Sequence, residues 1–393
     1  MEAVPIARLL KPPEMSFFLF GPRGTGKSTW LNTVLPGAHR FDLLKHGVYM
    51  ELSNNPSRLE AMVGAAPKGT WVVLDEIQKA PHLLDEVHRL MQSNGWRFAL
   101  CGSSARKLRR AGVNLLAGRA ITLNMEPFSA AELGAAFDLQ AALTRGLLPV
   151  VHAENRYAAE VLGSYVDTYL REEVREEGLV RNVAPFVRFL EIAGRLNGQE
   201  LNAANVSRDA AVSRSSVDAY FSILTDTLVG HFLPPYQPGF KVRERSHSKF
   251  YWFDQGVARA AAGLAGETPD RSWLGFALET LVFHELRVFN EVSGKRRGIF
   301  FYRTRAGSEI DFVVETAKRQ KASRSKVVCI ETKLSGAWDR RWEFQMRDMK
   351  VRGAVEVVKM LGVYTGDRRY HFDGLDVLPV ADFLKTLHSG EVF

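Results

Sequence analysis

The sequence predicts a multidomain α/β protein with a mostly parallel sheet near its N-terminus, a helical middle and a second α/β layer at its end. Three observations carry this. Short, wholly apolar runs at residues 16–20, 71–74, 98–101 and 121–123 alternate with helical stretches, as buried parallel strands do. From residue 129 to about 177 the pattern is helical throughout. After Arg271 a helix over 273–289 precedes strand-like runs at 298–302, 309–314, 327–331 and 354–360. A chain of 393 residues suits two or three domains.

Composition excludes several classes. With 46% apolar and 24% charged residues the chain reads as globular, not disordered. No uninterrupted apolar run reaches the roughly 18 residues of a bilayer span. The opening MEAVPIARLLKPPEM lacks the basic-then-apolar layout of a secretory signal. Cys101 and Cys329 stand in apolar runs and read as buried free thiols, which suits a reducing cytoplasm. A cytoplasmic protein without a membrane partner is expected. Net charge is +8, divided as +5 over residues 1–150, −4 over 151–240 and +7 over 241–393. Basic runs at 106–110, 241–249, 295–297 and 318–326 together make a nucleic-acid face plausible.

The first chemistry lies between the strand-like run 16–20 and the helix-like run from Ser28. Gly21, Pro22, Arg23, Gly24, Thr25, Gly26, Lys27 and Ser28 match the Walker A phosphate loop in full, and Thr29 continues into the helix. Glycines let backbone N–H groups turn toward phosphates, and the helix presents its positive end. Lys27 is expected to meet the β- and γ-phosphates of ATP, and the Ser28 hydroxyl to ligate Mg²⁺. Asp75 and Glu76, at the end of the run 71–74, supply the matching acids: Asp75 for Mg²⁺, Glu76 to polarise the attacking water. Ser103 or Ser104, ending another strand, is placed to bond the water or the γ-phosphate. Arg119 is a candidate arginine finger donated to a neighbouring subunit, with Arg110 as the alternative; such a group contributes roughly 10³–10⁵ in rate.

In the middle, helical runs at 201–211 and 214–228 are separated by a break at Val212-Ser213. Strand-like runs at 228–233 and 250–253 follow around a basic loop, the outline of a winged helix. Arg214, Lys241, Arg243 and Arg245 are the candidate DNA contacts, while Asp218, Asp226 and the local negative charge favour a packing or partner-binding role.

Near the C-terminus Glu279 lies on a helix, Asp311 at a strand start and Glu331-Thr332-Lys333 at a strand end, an arrangement similar to the PD-(D/E)xK nuclease core. Glu331 and Lys333, two apart on a strand, face the same way. The likeness implies Mg²⁺ held by Glu279, Asp311 and Glu331, with Lys333 orienting water. Ile310 stands where such enzymes often carry proline. The alternative is a nuclease-like fold that does not cleave.

The run 74–81 (LDEIQKAP), Gly102-Ser103-Ser104 and Leu116 to Arg119 resemble a prokaryotic AAA+ group joined to a C-terminal domain of originally unknown function. Pro234-Pro235-Tyr236, the run 249–256 (KFYWFDQG), 276–279, 309–312 and 331–333 extend the resemblance over nearly the whole chain. It implies an AAA+ P-loop core over 1–127, a helical lid over 128–180, a winged helix over 181–256 and a restriction-endonuclease-like α/β domain over 257–393. It further implies an ATP- and Mg²⁺-dependent oligomer, such as a hexameric ring; the basic runs and the C-terminal acids add the expectation that its turnover drives DNA processing or remodelling, with metal-dependent cleavage or junction binding by the C-terminal domain. Two rivals stay open: a nucleotide switch with a protein partner, and a branched-DNA motor that uses the nuclease-like fold only as a grip.

Overall fold

The computed structural model describes residues 6–106, 108, 116, 118–170, 183–237, 247–304, 307–319 and 323–393. The first sheet holds β1 (Phe17–Phe20), β2 (His39–Asp42), β3 (Trp71–Asp75), β4 (Arg97–Gly102) and β5 (Ile121–Asn124), all parallel, in the order β2-β3-β4-β1-β5. Side-chain alternation along β1 sends Phe17 and Leu19 into one core with Trp30 and Leu31. Phe18 and Phe20 enter another core with Leu83, Val87 and Leu90. Helices α1 (Lys27–Val34) and α2 (Leu83–Ser93) therefore cover opposite faces, which is why the inner strands are unbroken apolar runs. β2 departs from the expected strands for a physical reason: at the sheet edge only Phe41 of its four residues is buried.

This order sets the C-terminal ends of β1, β4 and β3 side by side. Phe20 pairs with Gly102 and Asn124, and Leu74 with Leu100. In open parallel sheets that edge is where ligands bind.

Short helices follow at Ala130–Leu133, Leu139–Arg145, Pro149–Ala153 and Ala158–Ser164. Helix Val183–Arg195 leads into α3 (Ala203–Ala210) and α4 (Arg214–Asp226). A small antiparallel sheet of β6 (Gln199–Glu200), β7 (Gly230–Leu233) and β8 (Lys249–Trp252) has β8 at its centre. Ala211 takes a left-handed conformation (φ 52°), and Ser213 caps α4 by accepting the Ser216 N–H at 3.1 Å, so the chain breaks at Val212-Ser213. One interior joins these parts: Leu148 and Leu162 pack with Phe186, Phe221, Trp252 and Val257. Arg106, after β4, pairs with Asp226 at the end of α4 and donates to Ser222 (3.0 Å), tying the first sheet to this helical unit.

Helix α5 (Gln255–Ala261) precedes the long α6 (Arg271–Val292). The second sheet contains β9 (Gly298–Arg303), β10 (Glu309–Ala317), β11 (Lys326–Lys333), β12 (Glu356–Tyr364), β13 (Tyr370–Phe372) and β14 (Leu375–Pro379), in the order β13-β14-β12-β11-β10-β9. β11, β12 and β14 are parallel; the outer pairs are antiparallel. α6 covers one face, with Leu278, Val282 and Leu286 in a core with Phe312, Ile330 and Leu361. Both cysteines are buried and free, Cys101 in β4 and Cys329 in β11. No helix among the described residues is long and apolar enough to cross a membrane.

Two sequence signals far apart meet at Asp254. Its carboxylate accepts the Leu147 N–H (2.6 Å) and, as the cap of α5, the Val257 N–H (3.1 Å). The adjoining Gly146 has φ 77°, and a Cβ there would fall 2.1 Å from Asp254 Oδ1. Replacing Asp254→Ala removes a cap and strands a buried N–H. A loss of about 2–4 kcal/mol in urea unfolding is expected, with Asp254→Asn recovering part of it.

Candidate functional site

The phosphate loop is shaped by two left-handed glycines, Gly24 (φ 80°) and Gly26 (φ 87°), conformations that L side chains rarely adopt. Gly21 is needed for another reason: a Cβ there would sit 2.4 Å from the Met125 carbonyl oxygen. Lys27 is buried, and its ammonium donates to the carbonyls of Gly21 (2.7 Å) and Pro22 (3.0 Å) across the loop. Thr25 Oγ1 donates to the Pro22 carbonyl at 2.8 Å. Arg23 and Thr29 are exposed. The Ser28 hydroxyl donates to Asp75 Oδ2 at 2.7 Å, so the hydroxyl–carboxylate pair expected for Mg²⁺ converges at one point.

Asp75 ends β3, and Glu76 turns the chain sharply in a left-handed conformation (φ 60°, ψ 43°). Burial pushes the Glu76 carboxyl above its ordinary range, Asp75 adds to this, and Lys27 opposes it. Sequence reasoning overlooked Gln78, whose amide donates to Glu76 Oε2 and to Ser103 Oγ (3.2 Å). Ser103 is buried at the end of β4, in the row with the loop and the acids.

Beside the loop opens a cavity of about 420 Å³, lined in part by Leu10, Thr29, Trp30, Phe128 and His152. Arg8 closes one side and braces the loop from behind, donating to the Thr25 carbonyl (2.8 Å), the Glu126 carbonyl (2.6 Å) and Glu132 (3.0 Å). No motif in residues 6–10 announces this role. Arg119 is exposed on the turn before β5; with the Gln92 amide of α2 turned so that its oxygen faces the guanidinium, that oxygen accepts from the two terminal nitrogens (2.5 and 2.9 Å). Arg110, its alternative, lies outside the described residues.

The second set also comes together. Lys333 pairs with Glu331 at 2.5 Å and with Asp311 at 3.8 Å. Asp311 Oδ2 accepts both the N–H (2.7 Å) and the hydroxyl (2.8 Å) of Thr332. Glu279 accepts from Tyr251 OH (3.1 Å) and pairs with Lys249 (3.3 Å), which also pairs with Glu309. The sequence assigns Lys249, Tyr251 and Glu309 no role in this cluster. Their place follows from β8 abutting the second sheet, which no local pattern signals. Lys249 is only 5% exposed; burial works against its charge, yet the oxygens of Tyr251, Glu279, Asp311 and Glu309 hold its pKa well above the usual value.

This cluster does not fit a ready-made metal cage. One observation favours a cation: Glu331 Oε2 is buried without a hydrogen-bond partner. Against it, lysines or local donors engage all four carboxylates. Among the described residues no three His, Cys, Asp or Glu side chains are grouped to hold a metal ion. Of the candidate DNA contacts, Arg214 is exposed at the start of α4, in an open cleft with Asp218, Phe232 and His247. Lys241, Arg243 and Arg245 lie outside the described residues.

Comparison with known proteins agrees on the first site. Residues 14–134 match the family described as an AAA domain, and that stretch contains the phosphate loop, Asp75 and Glu76. Residues 136–268 match a domain of unknown function (DUF8612), and 274–383 another (DUF4143). No curated protein matches the chain. A similar solved structure is the Aeropyrum pernix ORC1 protein in complex with DNA, at 13% identity over 64% of this chain and 87% of that one. Its TM-score is 0.31, too low to carry an argument.

The charge cluster has a pH signature. Burial, with Asp311 next, raises the Glu279 pKa from an ordinary 4.5 to about 7. The folded protein therefore holds a proton there that the unfolded chain has lost. The associated stabilisation is complete below about pH 4.5 and fades as pH rises through about 7. Thermal melts should show the stability of wild type relative to Glu279→Gln declining across that window. A constant difference would mean that Glu279 does not titrate there.

Proposed function

We propose that the protein is an AAA+ ATPase that binds ATP with Mg²⁺, hydrolyses it in an oligomer and uses the turnover to process or remodel DNA. The observation that carries this reading is the convergence of Lys27, Ser28, Asp75 and Glu76 at one edge of the parallel sheet. The loop N–H groups and Lys27 suit the β- and γ-phosphates, and the adjoining cavity suits the base and sugar. Ser28 and Asp75 would hold Mg²⁺, which supplies neutralising charge to the phosphate oxygens. Glu76, when ionised, accepts a proton from the attacking water, while Ser103 bonds the water or the γ-phosphate. Arg119, exposed before the edge strand β5, is available to a neighbour's site, and this supports an oligomeric enzyme such as a ring.

The work on DNA rests on charge and shape. Residues 241–393 carry +7. α3, α4 and the β7–β8 pair support a winged helix, with Arg214 on α4 and Lys241, Arg243 and Arg245 in the connection between β7 and β8. A second reading concerns the C-terminal unit. Its lysine-paired carboxylates favour a nuclease-like fold that holds DNA without cutting it, over one that cleaves.

ATP turnover by Lys27→Ala should fall at least a hundredfold with loss of nucleotide binding. Glu76→Gln should keep binding and lose turnover by a similar factor. Duplex, single-stranded or branched DNA should stimulate turnover. Indifference to all three, with no binding at moderate salt, would point instead to a nucleotide switch with a protein partner.

A further inference from the structure

A buried amide lies next to Glu76. Gln78 is 7% exposed and lies in the short turn Ile77–Lys79 that follows Glu76. Because Glu76 turns in the left-handed region, the side chains of residues 76 and 78 come to face each other. An amide nitrogen carries two hydrogens. Here one goes to the Glu76 carboxylate and the other to Ser103 Oγ at 3.2 Å. The amide oxygen has no partner although it is buried, and it rests against Gly102, where a Cβ would fall 2.2 Å from it.

That unsatisfied oxygen is informative. A glutamine that merely filled space would turn its amide to satisfy the oxygen. Turning this one would set an oxygen against the Glu76 carboxylate, leaving that close contact without a hydrogen between the two oxygens. The orientation is thus dictated by what the nitrogen must reach, and Gly102 is bare to make room for it.

We propose that Gln78 is a positioning residue of the ATPase site, fixing the orientation of the Glu76 carboxylate and tying it to Ser103 on the neighbouring strand. This rests on the ATPase reading above. Through the Ser103 bond, a shift of the β4 end is felt at the acid on β3, so the two strand ends act as one unit.

The test is steady-state ATP hydrolysis of the full chain against pH, with binding of a non-hydrolysable ATP analogue measured separately. Gln78→Leu keeps the volume and loses both donors. Its kcat should fall about tenfold or more, analogue affinity should stay within about threefold of wild type, and the acid limb should move to higher pH. Gln78→Glu can donate only when protonated, so it should retain activity at low pH and lose it as the 76/78 carboxyl pair sheds its shared proton, a base limb that wild type lacks. If Gln78→Leu fails to bind the analogue, the Gln78→Glu profile decides. An active wild type with an unchanged kcat and acid limb in Gln78→Leu, or with no base limb in Gln78→Glu, overturns the inference alone. A wild type that binds ATP and never hydrolyses it overturns the ATPase reading and this inference together.

Discussion

The arrangement of the molecule depends on how α6 takes up the backbone groups left open where β5 ends. Past Asn124 the chain leaves the sheet, and its polar groups have no strand beside them. Buried without partners, each such group would cost about 1–3 kcal/mol. Glu291 accepts the Asn124 N–H (3.0 Å), Glu285 accepts the Ala130 N–H (2.7 Å), and His284 donates to the Phe128 carbonyl (2.9 Å). Arg287 pairs with Glu126 between them. Residues 284, 287 and 291 fall on successive turns of one helix face. The contact is directional as well as close-packed, so it holds the two sheets in one relative orientation.

Several consequences follow from that strut. α6 has 22 residues and so runs about 33 Å. Its C-terminal half grips the chain leaving the first sheet, while Glu279, nearer its start, enters the charged cluster of the second sheet. The pair Arg106–Asp226 makes a separate bridge, from the end of β4 to α4. Both attachments lie close to strand ends that border the phosphate loop, β5 through Phe20–Asn124 and β4 through Phe20–Gly102. A change at the loop therefore has two short mechanical routes into the rest of the chain. The two charged sites also differ in kind. At the loop Lys27 is held by carbonyls, and among the described residues no carboxylate is paired with it, which leaves its charge for an anion. In the second sheet lysines and carboxylates largely neutralise one another.

Much of the first site was legible because its residues are contiguous or end apolar runs. The loop from Gly21 to Ser28 announces itself, and Asp75-Glu76 closes a strand whose four preceding residues are apolar. Glu279, Asp311, Glu331 and Lys333 were legible as a set because each sits at a definite place on a helix or strand, and the structure does bring them together. What they would do was not legible. Lys249 lies 30 residues before Glu279, in a strand of another sheet, and only the docking of β8 beside β10 and α6 sets its ammonium among the carboxylates. β2 escaped notice because an edge strand buries one side chain in four. Gln78 and Arg8 escaped because a buried polar role depends on the partner, and their partners lie 2 to 124 residues away.

By itself the sequence determined the elements whose signal is local: alternating apolar runs for the inner strands, glycines where the phosphate loop needs left-handed turns, and acids at a strand end. These follow from backbone sterics and from the two-residue and 3.6-residue periods, which neighbouring residues set among themselves. The tertiary structure alone decided which polar groups lose water together. It placed Gln78 between Glu76 and Ser103, Arg8 behind the loop, and Lys249 inside the second cluster. Desolvation and Coulomb energy depend on distances through space, and no spacing along the chain encodes those distances.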